Sequence, residues 1–397
     1  GVFPSLSAAD PSHRLGPLAA PRHADGRPDV RSLLTTPAPP AVWAFEDLIP
    51  KRAVVAVDAM GGTGKSMFLL QLALSAASGH TLLDAFRLVR AMRVLAIFAE
   101  EPQSELHRRI QRIRNAYPIL KDLDDRIESH LRLHCGQSFP LIDADSKPTS
   151  RYTWLRREIV SFKPDIIILD PRAFFAHGNE NDNAHVAAFM SRLSELCQLG
   201  DEGVTLMLAH HVAKAHQDSL NSASGRGASA ARDACRVVFN MAPATREQAA
   251  EIGRPDPQNF VWLSRTKSNW TAGESRRLLL QRSVHPEYPG VLFEADERSL
   301  RDEAERARLD PIAQHIAQYV CENPDNLTIR DWAERTAGKE LRDELKAIFG
   351  DSVTCKCVGA AVEQAVRRNL VTFDEVRTGP GRPKRVPRQR RTSDDGA

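Results

Sequence analysis

From Ala53 onward, short and nearly continuous apolar runs alternate with amphipathic stretches. The runs are Ala53–Ala59, Val94–Ala99, Ile166–Leu169 and Val204–Ala209. Runs this short and apolar suit strands that helices cover on both faces. The stretches between them predict helices over Lys65–Ser78, Gln103–Ala116, Ser150–Phe162 and Ala184–Leu199. Strand–helix alternation predicts an α/β domain with a doubly wound, mostly parallel sheet. Phe260–Thr266, Arg276–Gln281 and Val291–Glu294 lack intervening helices and are expected as antiparallel strands on one edge.

The texture changes at both ends. Up to Pro40 the chain carries many Pro, Arg, His and Asp and no apolar period, so no regular structure is expected there. After Ser299, charged helical text over Arg301–Arg308 leads into Ile312–Glu322, Ile329–Thr336, Lys339–Phe349 and Lys356–Asn369. Strand-like pieces at Val371–Val376 and Lys384–Val386 follow, split by the Gly/Pro-rich Thr378–Pro383. Helices closed by such a hairpin outline a small winged helix-turn-helix domain. The expected division is an irregular segment 1–40, an α/β domain 41–298, a winged-helix-like domain 299–388 and a basic, polar tail 389–397.

Composition changes this picture in one place. The 397 residues carry a net charge of only +3, so the whole is not a polycation. Arg377 to Arg391, however, gathers Arg382, Lys384, Arg385, Arg388, Arg390 and Arg391, a density that suits nucleic acid. Six scattered cysteines give no disulfide framework, and Cys355 with Cys357 lacks the second ligand pair that zinc needs. No apolar run approaches the roughly 20 residues that span a bilayer. No secretory leader pattern opens the chain, so a cytoplasmic location without membrane contact is expected.

The candidate chemistry begins at Ala59-Met-Gly-Gly-Thr-Gly-Lys-Ser66, which follows an apolar strand and opens a helix, the context of a P-loop. Gly61, Gly62 and Gly64 let the backbone turn so that successive N–H groups, with those of Thr63 and Met67, face phosphate oxygens. Lys65 is expected on the β and γ phosphates of ATP, and Ser66 on Mg²⁺. Ala59 stands where the usual pattern has its first glycine. The strand Ile166–Leu169 runs into Asp170, whose carboxylate is expected to hold the Mg²⁺ with Ser66. Glu100, with Glu101 as competitor, closes another strand and is the candidate general base for the attacking water. His210 and His211 end the Val204–Ala209 strand. Adjacent residues on an extended chain point oppositely, so they suit a γ-phosphate sensor better than a zinc site. Two long loops, Arg172–Asn183 and Ala213–Ser229, follow strand ends; the second carries Lys214 and Arg226 as candidate DNA contacts. Arg382, Lys384 and Arg385 are the candidates in the C-terminal hairpin.

Taken in order, AMGGTGKS, FAEE, IIILDP, LAHHVAK, GRGASAARDACR and RTKSNW resemble the RepA-type hexameric replicative helicases of broad-host-range plasmids, which are RecA-like. The resemblance covers Ala41 to Gln281. It implies a RecA-like core in which Lys65 and Ser66 are the Walker A pair, Glu100 the catalytic glutamate and Asp170 the Walker B aspartate. It further implies His211, with or without His210, as γ-phosphate sensor. Arg236 aligns with an arginine finger delivered by a neighbouring subunit and Lys267 with a second cation in trans; Arg226 and Arg232 compete with Arg236. The added C-terminal region departs from the simplest members. A homo-oligomeric, ATP-driven helicase on single-stranded DNA is therefore expected, acting in replication of a plasmid, phage or integrated element. A loader or regulator that binds duplex DNA, and a RecA-type recombination accessory, are the alternatives.

Overall fold

The computed structural model describes residues 27, 29–38, 40–176, 178, 182–200, 202–212, 231–254, 256–269, 277–322, 336–350, 353–376 and 384–389. Its contacts divide the chain into two compact units, Gly1–Ala244 with Gln258–Ala295, and Thr245–Pro257 with Asp296–Ala397.

The first unit opens with a helix, Val30–Thr35 (α1), inside the stretch expected to be irregular; the Asp29 carboxylate accepts the Ser32 N–H at its start. A small two-stranded sheet follows, Trp43–Phe45 (β1) with Ile49–Pro50 (β2). The main chain of elements is then Val54–Ala59 (β3), Lys65–Ser78 (α2), Val94–Phe98 (β4), Gln103–Ala116 (α3), Asp124–His130 (α4) and Leu131–Cys135 (β5). Ser150–Phe162 (α5), Ile166–Asp170 (β6), Asn183–Cys197 (α6) and Thr205–His211 (β7) continue it. Val237–Pro243 (β8), Phe260–Ser268 (β9), Arg277–Arg282 (β10) and Leu292–Ala295 (β11) complete the unit's strands.

The nine-stranded sheet has the order β11-β10-β9-β8-β3-β7-β6-β4-β5. From β8 to β5 all pairings are parallel, and β9, β10 and β11 extend the β8 edge antiparallel. This is a RecA-like, doubly wound α/β fold with antiparallel edge strands. Helices α2, α3 and α5 coincide with the stretches predicted for them. Strands β5 and β8 were not anticipated. The first is a half-exposed edge strand whose Leu-Arg-Leu-His-Cys pattern alternates instead of running apolar.

The period of two along each strand sorts side chains onto two cores. Val55, Val57 and Ala59 of β3 join Ala96 and Phe98 of β4 under α2 and α3. Val54 and Ala56, with Leu95, Ile97, Ile167 and Leu169, face α5 and α6 on the other side. Helix α2 is apolar nearly all round and buried along almost its whole length, as a helix wedged inside a domain must be. Its buried polar Gln71 is fully used: its side chain accepts the Leu292 N–H at 2.9 Å and donates to the Leu292 carbonyl at 2.8 Å.

At the opposite end of the sheet, Asp165 receives the buried Lys51 ammonium, the Arg90 guanidinium at 2.7 Å and the Arg93 N–H at 2.9 Å. Burial raises the carboxyl's pKa, but Lys51 and Arg90 outweigh it and leave it below the ordinary value.

The second unit contains the helices Glu297–Glu322, Thr336–Phe349 and Cys355–Arg367 and the antiparallel hairpin Val371–Val376 with Lys384–Gln389. Arg301–Arg308 and Ile312–Glu322 prove to be one helix. Pro311 lies inside it, and its missing N–H removes one helical hydrogen bond. Leu309, Ile312, Ile316 and Val320 pack with Leu341, Leu345, Val358 and Ala361. Most of the predicted helix Ile329–Thr336 and the Thr378–Pro383 tip lie outside the described residues.

Asp165→Ala should lower the urea-unfolding free energy by about 3–5 kcal/mol, because Lys51 would be left buried without its partner. A folded-state carboxyl held below its unfolded value stabilises fully above that value and loses the effect as pH falls through the folded one. Wild-type stability should therefore drop below about pH 4, and less so in the variant.

Candidate functional site

Strand β3 ends at Ala59 and α2 begins at Lys65, so Met60–Gly64 must reverse direction within a few residues. Gly62 and Gly64 do this at φ +76° and +101°, where an L side chain is strained. A Cβ added at Gly61 or Gly62 would meet nothing within 4 Å, so the turn faces open space at both. The N-cap residue of α2 is Gly64, and no side chain caps the helix. Its first N–H groups, carrying the positive end of the helix dipole, are left for an anion.

Three buried polar atoms around this turn have no hydrogen-bond partner among the described residues: Lys65 Nζ, Thr63 Oγ1 and Asp170 Oδ2. Burial pushes the Lys65 ammonium down from its ordinary pKa despite Asp170, Glu100 and Asp58 nearby. Burial pushes the Asp170 carboxyl up, against the Ser66 hydroxyl hydrogen bond, Lys65 and His211. A cradle of open N–H groups, an unpaired ammonium and a hydroxyl–carboxylate pair fits a polyphosphate with a hard divalent cation. Ser66 and Asp170 are the oxygen donors such a cation takes. Met67 contributes its backbone at the helix start; its side chain belongs to the core.

The two candidate bases separate. Glu101 is taken by Arg109, whose guanidinium lies 2.7 Å from its Oε1. Glu100 stays more than half exposed and faces His211 Nε2 at 3.9 Å. Burial and the Lys65 charge lower the His211 pKa, with Glu100 and Asp170 opposing. The histidines point apart, as alternation requires: His210 Nδ1 lies 3.3 Å from Asp58 Oδ1. Asp58, buried in β3 just ahead of the turn, also holds Arg232 at 2.8 Å. Arg232, a competitor for the finger, is thus committed within its own chain. Among the described residues no cluster of His, Cys, Asp and Glu could hold a metal ion.

Arg236 is exposed at the start of β8, its N–H on the Val54 carbonyl at 2.9 Å. It is therefore level with the first residue of β3, about 16 Å from the turn at 3.3 Å per residue. Lys267 Nζ donates to the Arg232 and Asp233 carbonyls at 3.0 and 2.8 Å. Lys214, Arg226 and Arg382 lie outside the described residues, and Lys384 and Arg385 are described only as backbone of the hairpin. The strand-end segment before them is rooted at β3 too: the Val212 N–H donates to the Ala59 carbonyl at 3.1 Å.

Two residues of the site had escaped the sequence. Asp58 had one available signal, a carboxylate inside an otherwise apolar buried strand. Arg282, at the end of β10, had none: its Nη2 donates to the Thr63 carbonyl at 2.8 Å from 219 positions away.

An AAA domain family model matches residues 21–217. A KaiC-like protein from the hyperthermophilic archaeon Pyrococcus horikoshii OT3 superposes with a TM-score of 0.41 at 13% identity, over 64% of this chain and 97% of that one. The ATPase domain of G40P does so with a TM-score of 0.43 at 14% identity, over 62% and 85%. The strand order and the glycine-rich turn before α2, not these distant superpositions, give the first unit its RecA-like fold with a P-loop. No helix among the described residues is long and apolar enough to cross a membrane.

Gly62→Ala should cost about 1–2 kcal/mol of stability, the penalty of a left-handed Cβ, read from urea unfolding. The same variant should bind an ADP analogue more weakly, read by fluorescence titration.

Proposed function

We propose that the chain is an ATP-driven translocase on single-stranded DNA, working as a homo-oligomeric ring, by expectation a hexamer, in replication of a plasmid, phage or mobile element. The observation that carries this reading is the convergence of Lys65, Ser66, Glu100, Asp170 and His211 at the carboxyl ends of β3, β4, β6 and β7. Val212, the last described residue before Ala213–Ser229, lies at the same edge, its N–H on the Ala59 carbonyl. Bound Mg²⁺ would supply charge neutralisation on the phosphates, with Ser66 and Asp170 as its protein oxygens. Lys65 would bind the β and γ phosphates, and Glu100 would orient a water and take its proton. Glu101 is less suited, being paired with Arg109. His211, touching Glu100, would relay the state of the γ-phosphate to the segment that follows it.

Arg236 cannot reach its own P-loop from the far end of the sheet. That supports delivery to the site of a neighbouring subunit, where such a finger raises rates about 10³–10⁵-fold. Lys267, holding two carbonyls of its own chain, is proposed to fix the segment before β8 as well as to face the neighbour. Lys214 and Arg226 are proposed to contact single-stranded DNA. The helices and hairpin of the second unit support a winged-helix-like domain over 299–388, in which Arg382, Lys384 and Arg385 would meet duplex DNA. That arrangement favours the second reading, a duplex-binding loader. A strand-displacement assay separates the two, since a loader binds duplex without unwinding it.

Single-stranded DNA should stimulate ATP hydrolysis; equal rates with and without it would remove the translocase reading. Lys65→Ala should abolish turnover with the fold intact. Glu100→Gln should bind ATP normally yet lose turnover by about 10²–10⁴-fold, while Glu101→Gln should lose far less. Arg236→Ala subunits mixed with wild type should depress hydrolysis beyond their own share, as a trans residue requires.

A further inference from the structure

We infer that Arg282 is a positioning residue for the phosphate cradle, holding the P-loop peptides in their anion-binding orientation and adding a positive charge that no carboxylate among the described residues compensates. The inference rests on the reading of Met60–Ser66 as a nucleotide polyphosphate site. Strand β10 is antiparallel to β9, which is antiparallel to β8, so β10 runs in the same sense as β3. Its last residue, Arg282, accordingly emerges at the edge of the sheet where the P-loop lies. The following turn returns into β11, and Gln71 of α2 grips Leu292 there by both of its side-chain polar atoms. Arg282 is thus fixed to the same helix whose start it serves.

The guanidinium reaches the carbonyl oxygens of the loop. Nη2 lies 2.8 Å from the Thr63 carbonyl and 3.4 Å from the Gly62 carbonyl, and 3.6 Å from where a Cβ on Gly64 would stand. In a planar trans peptide the C=O and N–H point in opposite directions. Holding the Thr63 carbonyl therefore turns the Gly64 N–H away from Arg282 and leaves it for an anion, while the Thr63 N–H closes the turn on the Met60 carbonyl at 3.3 Å. Arg282 is also half-buried, and burial alone lowers its pKa. No carboxylate among the described residues makes an ion pair with it. A partly desolvated cation without a counter-charge is unfavourable until an anion arrives nearby, so its presence favours the anion-bound state.

The discriminating experiment compares wild type, Arg282→Gln and Arg282→Lys in the full chain. It uses titration with a fluorescent ADP analogue, steady-state ATP hydrolysis and nucleotide-free thermal melting. Arg282→Gln should raise the dissociation constant about 10–100-fold, the worth of a hydrogen bond to a charged group. The Michaelis constant for ATP should rise in step while kcat changes little, because the interaction exists before the chemical step. Arg282→Lys should recover part of the affinity through its charge. Unchanged affinity in Arg282→Gln, with wild type binding normally, overturns the inference and leaves the site intact. Equal losses in both variants with a matching fall in melting temperature also overturn it, since that pattern is structural support alone. Wild type that takes up no adenine nucleotide would instead overturn the underlying reading of the loop.

Discussion

Everything about this domain turns on two opposite charges removed from water without satisfying each other. Among the described residues the Lys65 ammonium has no hydrogen-bond partner, and one oxygen of Asp170 has none either. Burial drives both groups toward their neutral forms. A fold that removes charges from solvent in this way is destabilised locally by amounts comparable to a sizeable share of a domain's net stability. Such an arrangement persists only where the surrounding structure is rigid enough to hold it. A bound triphosphate and cation would offset the cost directly.

The rigidity comes from α2, buried along almost its whole length, and from the strands around it. Gln71 ties the helix to β11, Arg282 ties the loop to β10, and Asp58 ties the P-loop strand to Arg232 and His210. The antiparallel strands added to the β8 edge are thus more than an ornament of the sheet, since they bring a brace of the loop into place.

The parts of this arrangement that were legible in the sequence are those with local signatures. Lys65–Ser78 is announced by a glycine-rich turn and an apolar run, and Asp170 by four apolar residues before it. Glu100 could be separated from Glu101 only by geometry, because the partner that occupies Glu101 is Arg109 on the next helix. Strand β5 escaped because an edge strand exposed to water need not be continuously apolar. Arg282 escaped, and the pairing of Arg232 with Asp58 was not legible, because an arginine's partner is fixed by topology and no spacing rule connects residues that meet only in the fold. In the same way, a helix interrupted by Pro311 reads as two pieces when only the local penalty is counted. Its packing with Leu341, Leu345 and Val358 is not visible along the chain.

One detail of the roots of the 213–230 segment bears on the turn before α2. On one side the Val212 N–H is fixed to Ala59, and on the other Arg232 is fixed to Asp58, the residue directly before it. The two tethers meet on adjacent positions of a single strand. Any displacement of Asp58 or Ala59 is therefore felt at both tethers at once, directly before the turn that carries Lys65.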